Sequence, residues 1–227
     1  MSEPLKNFLF SLTIAFPAII GLVRYRNADT SYRPFFYYIF YSLVNELFVG
    51  LYIVPHASRH TNIISWQAFN LLECLLLLVQ FYYWQRFRNY KKVILVLLGL
   101  AVLGWVAENF IFSSIYDFNP VFLITYSFIL VLLSINTIND QVVNYNRSIS
   151  RNALFIICVG FVIFFIYTIV VFTILATNNS HNKAFSSVFE IRVYINALTN
   201  ILYAIGIYFV PRKTRLHRNI FLAQKKY

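Results

Sequence analysis

Four glutamates and one arginine of this sequence lie inside long apolar segments, where ionisable side chains are rare. They are Glu46, Glu73, Glu108, Glu190 and Arg192. An ionisable group within a membrane span costs at least about 2.5–3.5 kcal/mol on insertion scales, and it nearly always faces the interior of a helix bundle. Such groups commonly bind ligands or relay protons. These five side chains are therefore the first candidates for chemistry in this protein.

Amide side chains accompany two of these charges at helical spacing. Asn70 precedes Glu73 by three residues, and Asn196 and Asn200 follow Arg192 at intervals of four. Residues three or four apart share one face of a helix. We therefore add the three amides to the predicted ligand-binding or proton-coupling set. The alternative is a structural role, because Asn side chains commonly form hydrogen bonds between membrane helices.

The composition shows what kind of chain must position these groups. The sequence has 227 residues, of which 59% are hydrophobic and 12% are charged. A typical soluble domain is about 45–50% apolar and about 25% charged. This chain has too little polar surface to solvate a globule of its size. The composition argues against a soluble enzyme, a disordered protein and a nucleic-acid-binding domain, and it favours a polytopic membrane protein.

Seven segments are long and apolar enough for membrane helices, which need about 20 residues each. The predicted spans cover residues 8–23, 34–54, 63–84, 92–112, 118–138, 152–176 and 186–210. The connections between them are too short for a soluble domain. The sequence therefore predicts an all-α, seven-transmembrane-helix bundle as one domain over residues 1–227, in which residues 211–227 form a basic tail.

The distribution of positive charge predicts the orientation. Most of the 19 Lys and Arg residues lie in the first, third and fifth connections and in the tail. Cytoplasmic loops carry such an excess, so we expect the N-terminus outside and the C-terminus in the cytoplasm. Anionic lipid headgroups suffice to attract this charge. The expected partner is the lipid bilayer rather than nucleic acid, and the expected location is the bacterial inner membrane.

The depths of the charged residues predict a one-sided cavity. At about 1.5 Å per residue, Glu108 and Glu190 lie about 6 Å below the outer surface and Glu73 about 15 Å below it. The charged residues would then line an outward-facing cavity that ends near the midplane. A guanidinium keeps its proton, so Arg192 needs a carboxylate or several carbonyl groups as partners. We expect a carboxylate partner, with Glu73 slightly favoured over Glu46 and Glu108.

Three functions remain open on the sequence alone. The first is a small receptor or sensor, which binds a small polar or cationic ligand from outside and signals to a cytoplasmic protein. The second is a proton-coupled or cation transporter that uses the buried glutamates, although the sequence shows no repeats of the kind found in many transporters. The third is an intramembrane enzyme that uses carboxylates or a metal. No catalytic residue and no cofactor is predicted.

Histidines and aromatic clusters complete the set of candidates. His56, His60 and His181 lie in predicted outer loops and are weak candidates for metal ligands, because they lack the helical spacing of known metal motifs. Two aromatic clusters, at residues 35–38 and 81–84, lie at predicted cytoplasmic ends of spans. We interpret them as aromatic belts that anchor helices at the membrane interface.

Overall fold

A computed structural model describes residues 10–53, 56, 58–84, 88–144, 149–177 and 183–212. It is all-helical, with 89% of residues in helices and no strand among the described residues. These residues form seven α-helices. They are α1 (Ala15–Arg24), α2 (Arg33–Phe48), α3 (Arg59–Trp84), α4 (Arg88–Val106), α5 (Val121–Asn144), α6 (Ala153–Ala176) and α7 (Lys183–Phe209).

Five helical stretches are long and apolar enough to cross a membrane, which makes the chain an integral membrane protein. They are Thr30–Ile53, His60–Trp84, Lys91–Phe112, Val121–Val143 and Ala153–Ala176, with mean hydropathies from 1.3 to 3.0. The first helix is apolar but shorter, over Leu12–Arg24. Helix α7 is long, but it is not among the five. Its mean hydropathy is lowered by Arg192, Asn196 and Asn200.

Two helices end differently from the sequence prediction. Both α2 and α4 pass into a π-helical segment, at Val49–Ile53 and Ala107–Phe112 respectively. A π segment interrupts the regular i to i+4 hydrogen bonding, and such segments are frequent at functional sites. Here one begins three residues after Glu46 and the other contains Glu108, so both of these acids lie at or near a change in backbone geometry.

The predicted bounds of the fifth span also differ from those of α5. The helix begins at Val121 rather than at residue 118, because Pro120 precedes its first turn and the Asn119 side chain accepts a hydrogen bond from the Val121 N–H at 3.2 Å. The helix continues to Asn144, beyond the predicted end at 138. Hydropathy marks the apolar core of the bilayer, whereas a helix continues past it as long as its backbone groups are paired.

The helices form a closed ring. Helix α2 packs against α1 and α3, α3 also packs against α4 and α5, and the most extensive contacts join α5 to α6 and α6 to α7. Contacts between α7 and α1 close the ring. The polar faces of α2, α3 and α7 can therefore meet inside one bundle.

Glycines permit an especially close contact between α6 and α7. A Cβ atom built on Gly160 would lie 2.7 Å from the ring of Tyr203, and one built on Gly206 would lie 2.6 Å from Ile157. Small residues allow membrane helices to approach in this way. The missing side chain at Gly160 makes room for the Tyr203 ring between the two helices.

Five aromatic side chains fill the bundle between the cavity described below and the end that carries Arg24, Arg33 and Arg212. We call them the aromatic plug and that end the basic end. Each ring in the plug is 1% exposed or less, and ring centroids within it lie 5.3 to 6.1 Å apart in edge-on or tilted contacts. The members are Phe35, Phe81, Phe161, Phe165 and Tyr203.

The aromatic-belt interpretation is therefore wrong for half of the eight residues in the two clusters. Phe35, Phe36, Tyr38 and Phe81 are buried, whereas Tyr37 is 47% exposed and Tyr83 is 54% exposed. The buried rings face neighbouring helices, because the helical repeat turns only part of each four-residue cluster toward the outside. These rings stabilise the interior of the bundle rather than anchoring helices at the membrane interface.

Next to the plug, Gln80 joins α3 to the start of α2. Its Oε1 accepts a hydrogen bond from the Phe35 N–H at 2.7 Å, and its Nε2 donates to the Ser31 carbonyl at 2.6 Å. The first turn of a helix has N–H groups without partners in the helix, and Gln80 supplies one. Both polar groups of this buried amide are thus used by the backbone of the neighbouring element.

The basic end also joins the first connection to the end of α7. Ala28 and Arg212 form an isolated antiparallel bridge, and the Asp29 N–H donates to the Pro211 carbonyl at 2.9 Å. The backbone that leaves α7 is therefore tied to the segment between α1 and α2. A displacement of α7 along its axis would be transmitted to that segment.

Candidate functional site

A cavity of about 770 Å³ lies within the bundle at the end opposite to the basic end, which we call the cavity end. Helices α2, α3, α5, α6 and α7 contribute lining residues, and the turn that precedes α1 adds Ser11 and Ile14. Ligand pockets usually have volumes of about 300–1,000 Å³. The size and the convergence of five helices make this cavity the candidate site.

Six of the eight residues predicted from the sequence line this cavity. They are Glu46 from α2, Asn70 and Glu73 from α3, and Arg192, Asn196 and Asn200 from α7. The polar faces of α2, α3 and α7 therefore border the same cavity. The other two residues, Glu108 and Glu190, are not among the lining residues.

Glu73 is held at the cavity wall by hydroxyl groups from two other helices. Its carboxylate is buried, with the side chain 4% exposed, and Oε2 accepts a hydrogen bond from the Tyr126 hydroxyl at 2.6 Å. The Tyr38 hydroxyl lies beside the same carboxylate. Hydrogen bonds to a charged group are stronger than those between neutral groups. These contacts from α5 and α2 orient the carboxylate of α3.

Arg192 interacts with both carboxylates of the cavity. Its guanidinium lies 5.3 Å from the centroid of the Phe172 ring. Glu46 and Glu73 both act on it electrostatically. Glu46 in turn lies beside the Ser11 hydroxyl. Two of the three carboxylates expected as partners therefore lie near the guanidinium, and the preference for Glu73 stays a prediction.

Asn200 serves a contact between helices as well as lining the cavity. Its Nδ2 donates to the Thr13 hydroxyl oxygen at 2.8 Å, and that hydroxyl donates to the Phe10 carbonyl at 2.6 Å. This chain of hydrogen bonds ties α7 to the turn that precedes α1. The structural alternative considered for the amides therefore describes at least part of what Asn200 does.

Glu108 occupies a different place from the one that the cavity prediction gave it. Its Oε2 accepts a hydrogen bond from the Phe122 N–H at 2.6 Å, in the first turn of α5. Helix N-termini leave N–H groups unpaired and carry partial positive charge, so a carboxylate there is stabilising. Glu108 is thus a capping residue for α5. The capping role could have been predicted from the sequence, because Glu108 and the start of the fifth span are expected at a similar depth in the membrane.

Replacing Glu108 should separate this capping role from ligand binding. We expect Glu108→Leu to lower the free energy of unfolding by about 1–3 kcal/mol, because the Phe122 N–H loses its acceptor in a buried position. Glu108→Gln keeps an oxygen acceptor and should retain most of the stability. Unfolding of the purified protein in detergent would measure both. Equal stability of the Leu variant and the parent would contradict the capping role.

Glu190 lies on the outside of α7, where its side chain is exposed. The physical reason is the helical repeat, because residues two apart do not share a face. When Arg192 faces the cavity, Glu190 turns away from it. The prediction that all four glutamates share one cavity is therefore wrong for Glu108 and Glu190.

His56 and His60, the candidate histidines among the described residues, each contact an aromatic ring. The His56 ring stacks on Tyr52 and hydrogen-bonds its carbonyl at 3.2 Å, and the His60 ring meets the edge of Tyr116. His181 lies outside the described residues. Within the described ranges, no group of three His, Cys, Asp or Glu side chains could hold a metal ion.

Several residues of the site were missed in the sequence. Tyr38 and Ser42 line the cavity from α2, Tyr203 lines it from α7, and Tyr126 reaches Glu73 from α5. For α2 a signal existed, because Tyr38, Ser42 and Glu46 follow one another at intervals of four and so share a face. Nothing in the sequence distinguishes Tyr126 from the other aromatic residues of its apolar segment.

Comparisons with protein-family models, with curated proteins and with solved structures found no match for this chain. Its class therefore follows from its own fold and site. It is an all-helical integral membrane protein whose helix bundle encloses a cavity lined by polar, aromatic and three ionisable side chains.

Proposed function

We propose that this protein is a small heptahelical receptor or sensor, which binds a small polar or cationic ligand in the cavity and signals to a cytoplasmic protein. The observation that carries the proposal is the one-sided construction of the bundle. The cavity occupies one end, and the aromatic plug closes the way from Glu73 toward the basic end. Gln80, which precedes the plug residue Phe81 on α3, is already paired with the backbone at Ser31 and Phe35.

The proposal includes a seven-span topology with the cavity end outside. Helices α1 and α7 pack in the same ring as the five apolar stretches. Several polar residues that lower the hydropathy of α7 line the cavity instead of facing lipid. The basic end carries Arg24 and Arg212, which the positive-inside rule puts in the cytoplasm. We place the protein in the bacterial inner membrane on the same rule.

The signal would leave through α7. This helix carries Arg192 and Asn196 at the cavity, and the backbone at its other end pairs with Ala28 and Asp29 of the first connection. Ligand binding that shifts α7 would move the basic connection, which is the surface offered to a cytoplasmic partner. Receptors commonly use small helix shifts of this kind.

A proton-coupled or cation transporter is the second candidate. The observation that favours it is the position of Glu73, a buried carboxylate next to the plug, since intramembrane carboxylates commonly relay protons. The two functions differ in one respect. A transporter must open the cavity to the cytoplasm at some stage, whereas the receptor keeps the plug closed. The intramembrane enzyme stays a prediction that none of the contacts described above favours.

Cysteine accessibility tests the proposal. Ser42→Cys is a nearly isosteric change of a buried side chain that lines the cavity, and Ser127→Cys is a matched change of another buried serine that does not line it. We expect a membrane-impermeant methanethiosulfonate reagent to modify Ser42→Cys from outside only, with or without an imposed proton gradient. The reagent should spare Ser127→Cys and the buried native thiols Cys74 and Cys158.

Two further positions report the orientation in the same membranes. Ser58→Cys should react from outside, and Lys225→Cys should react only from the cytoplasmic side. Modification of Ser42→Cys from the cytoplasmic side under a gradient would show alternating access and favour the transporter. Modification of Lys225→Cys in intact cells would reverse the topology and overturn the proposal.

A further inference from the structure

The cavity is lined by more acidic than basic side chains. Two carboxylic acids, Glu46 and Glu73, line it together with one guanidinium, that of Arg192. Buried charges are stable only when they are paired and hydrogen-bonded. With both acids ionised, the lining carries one negative charge in excess, so a ligand with a single positive charge would make the occupied cavity neutral.

One side chain of the cavity lining has a polar group without a hydrogen-bond partner in the part of the chain that the structure describes. The Tyr203 side chain is 1% exposed, and its hydroxyl oxygen has no hydrogen-bond partner among the described residues. Tyr203 interacts electrostatically with Glu73. Buried hydroxyl groups are normally paired. A ligand with N–H donors would therefore satisfy Tyr203 and meet the carboxylate of Glu73 in one place.

The remainder of the cavity suits an apolar body. Six of its lining residues are aromatic, and the Trp66, Phe172 and Phe118 rings form a stacked set with centroids 4.9 to 6.1 Å apart. Trp66 precedes Glu73 by seven residues on α3, so it lies about 10 Å further toward the cavity end on the same face. Aromatic faces attract cations and apolar groups alike.

These observations disfavour an inorganic cation. A bare metal ion needs several oxygen ligands around it, whereas the wall around Glu73 and Trp66 is largely aromatic. One oxygen of Glu73 is also occupied by the Tyr126 hydroxyl at 2.6 Å. A ligand that brings its own N–H donors and an apolar surface fits this lining better.

We propose that the cavity binds a small organic amine in its ammonium form, whose N–H groups donate to Glu73 and to the Tyr203 oxygen and whose aromatic or aliphatic body lies toward Trp66. This inference rests on the ligand-binding function proposed above and names its ligand class. Arg192 balances one of the two carboxylates, and the ligand's ammonium group balances the other.

Three nearly isosteric probes test the ligand class. They are 2-phenylethylamine, which is a cation at neutral pH, neutral 2-phenylethanol and anionic phenylacetate. The readout is protection of Ser42→Cys from the impermeant reagent in the full-length protein in membranes. We expect the amine to protect at concentrations roughly thirtyfold lower than either other probe, because a desolvated charge that meets its partner contributes strongly to affinity.

Variants assign this preference to residues. Glu73→Gln in the Ser42→Cys protein should remove the preference for the amine, and Tyr203→Phe should weaken it. Glu108→Gln removes the same charge from another buried glutamate, one that does not line the cavity, and it should leave the preference unchanged. A Glu73→Gln variant that still prefers the amine would overturn the role given to Glu73.

Failure of this inference is distinguishable from failure of the proposed function. Equal or better protection by the alcohol or by phenylacetate would overturn the amine class and leave ligand binding from outside in place. Absence of protection by all three probes, with Ser42→Cys still reactive from outside, would also overturn the amine class. Reactivity of Ser42→Cys from the cytoplasmic side, with no probe added, would instead overturn the receptor itself.

Discussion

We expect Arg192→Met to lower the free energy of unfolding by up to about 3–5 kcal/mol, since it removes one partner of a partly buried network of charges. The guanidinium interacts with Glu46 and Glu73. Without it, two carboxyl groups face one cavity with no compensating positive charge. Reversible unfolding of the purified protein in detergent, at a pH at which glutamates are ordinarily ionised, would measure the loss.

A second substitution should reverse most of this loss. Replacing both partners of an ion pair by uncharged side chains is often nearly neutral, so Glu46→Gln or Glu73→Gln should recover stability when combined with Arg192→Met. Both carboxylates act electrostatically on the guanidinium. If Arg192→Met unfolds at the same denaturant concentration as the parent, the network contributes nothing to stability.

Gln80→Leu should have the second large effect, because it removes both hydrogen bonds between α3 and the start of α2. The Phe35 N–H and the Ser31 carbonyl would lose their partner in the interior. An unsatisfied buried group costs about 1–3 kcal/mol, so the two together should lower the free energy of unfolding by about 2–6 kcal/mol. Thermal unfolding followed by loss of helical circular dichroism would detect it.

Gln67→Leu is the matched control, on the same helix and equally buried. Its Nε2 makes only a long hydrogen bond of 3.5 Å to the Asp117 carbonyl. The same chemical change should therefore cost much less there. Equal losses in the two variants would show that Gln80 contributes through general packing, and the view that it fastens the start of α2 would be wrong.

The candidate site could be predicted in part because buried charge is expensive. The cost of an ionisable group in a span identified Glu46, Glu73 and Arg192, and helical spacing added Asn70 and Asn196, all of which line the cavity. The same reasoning could not distinguish a carboxylate that faces a cavity from one that caps a neighbouring helix. Burying a carboxylate is costly both at a cavity wall and at a helix cap, and in both positions neighbouring groups can compensate its charge.

Hydropathy and helical spacing, which are local properties, determined that this is an all-helical membrane protein and which faces of α2, α3 and α7 are polar. Only the tertiary structure decided which faces meet. The hydrogen bond from Tyr126 to Glu73, the aromatic plug and the cap on α5 each join residues from different helices. In an apolar environment many pairings of helices are nearly equivalent in hydrophobic energy, so close packing at small residues such as Gly160 and a few polar contacts select among them.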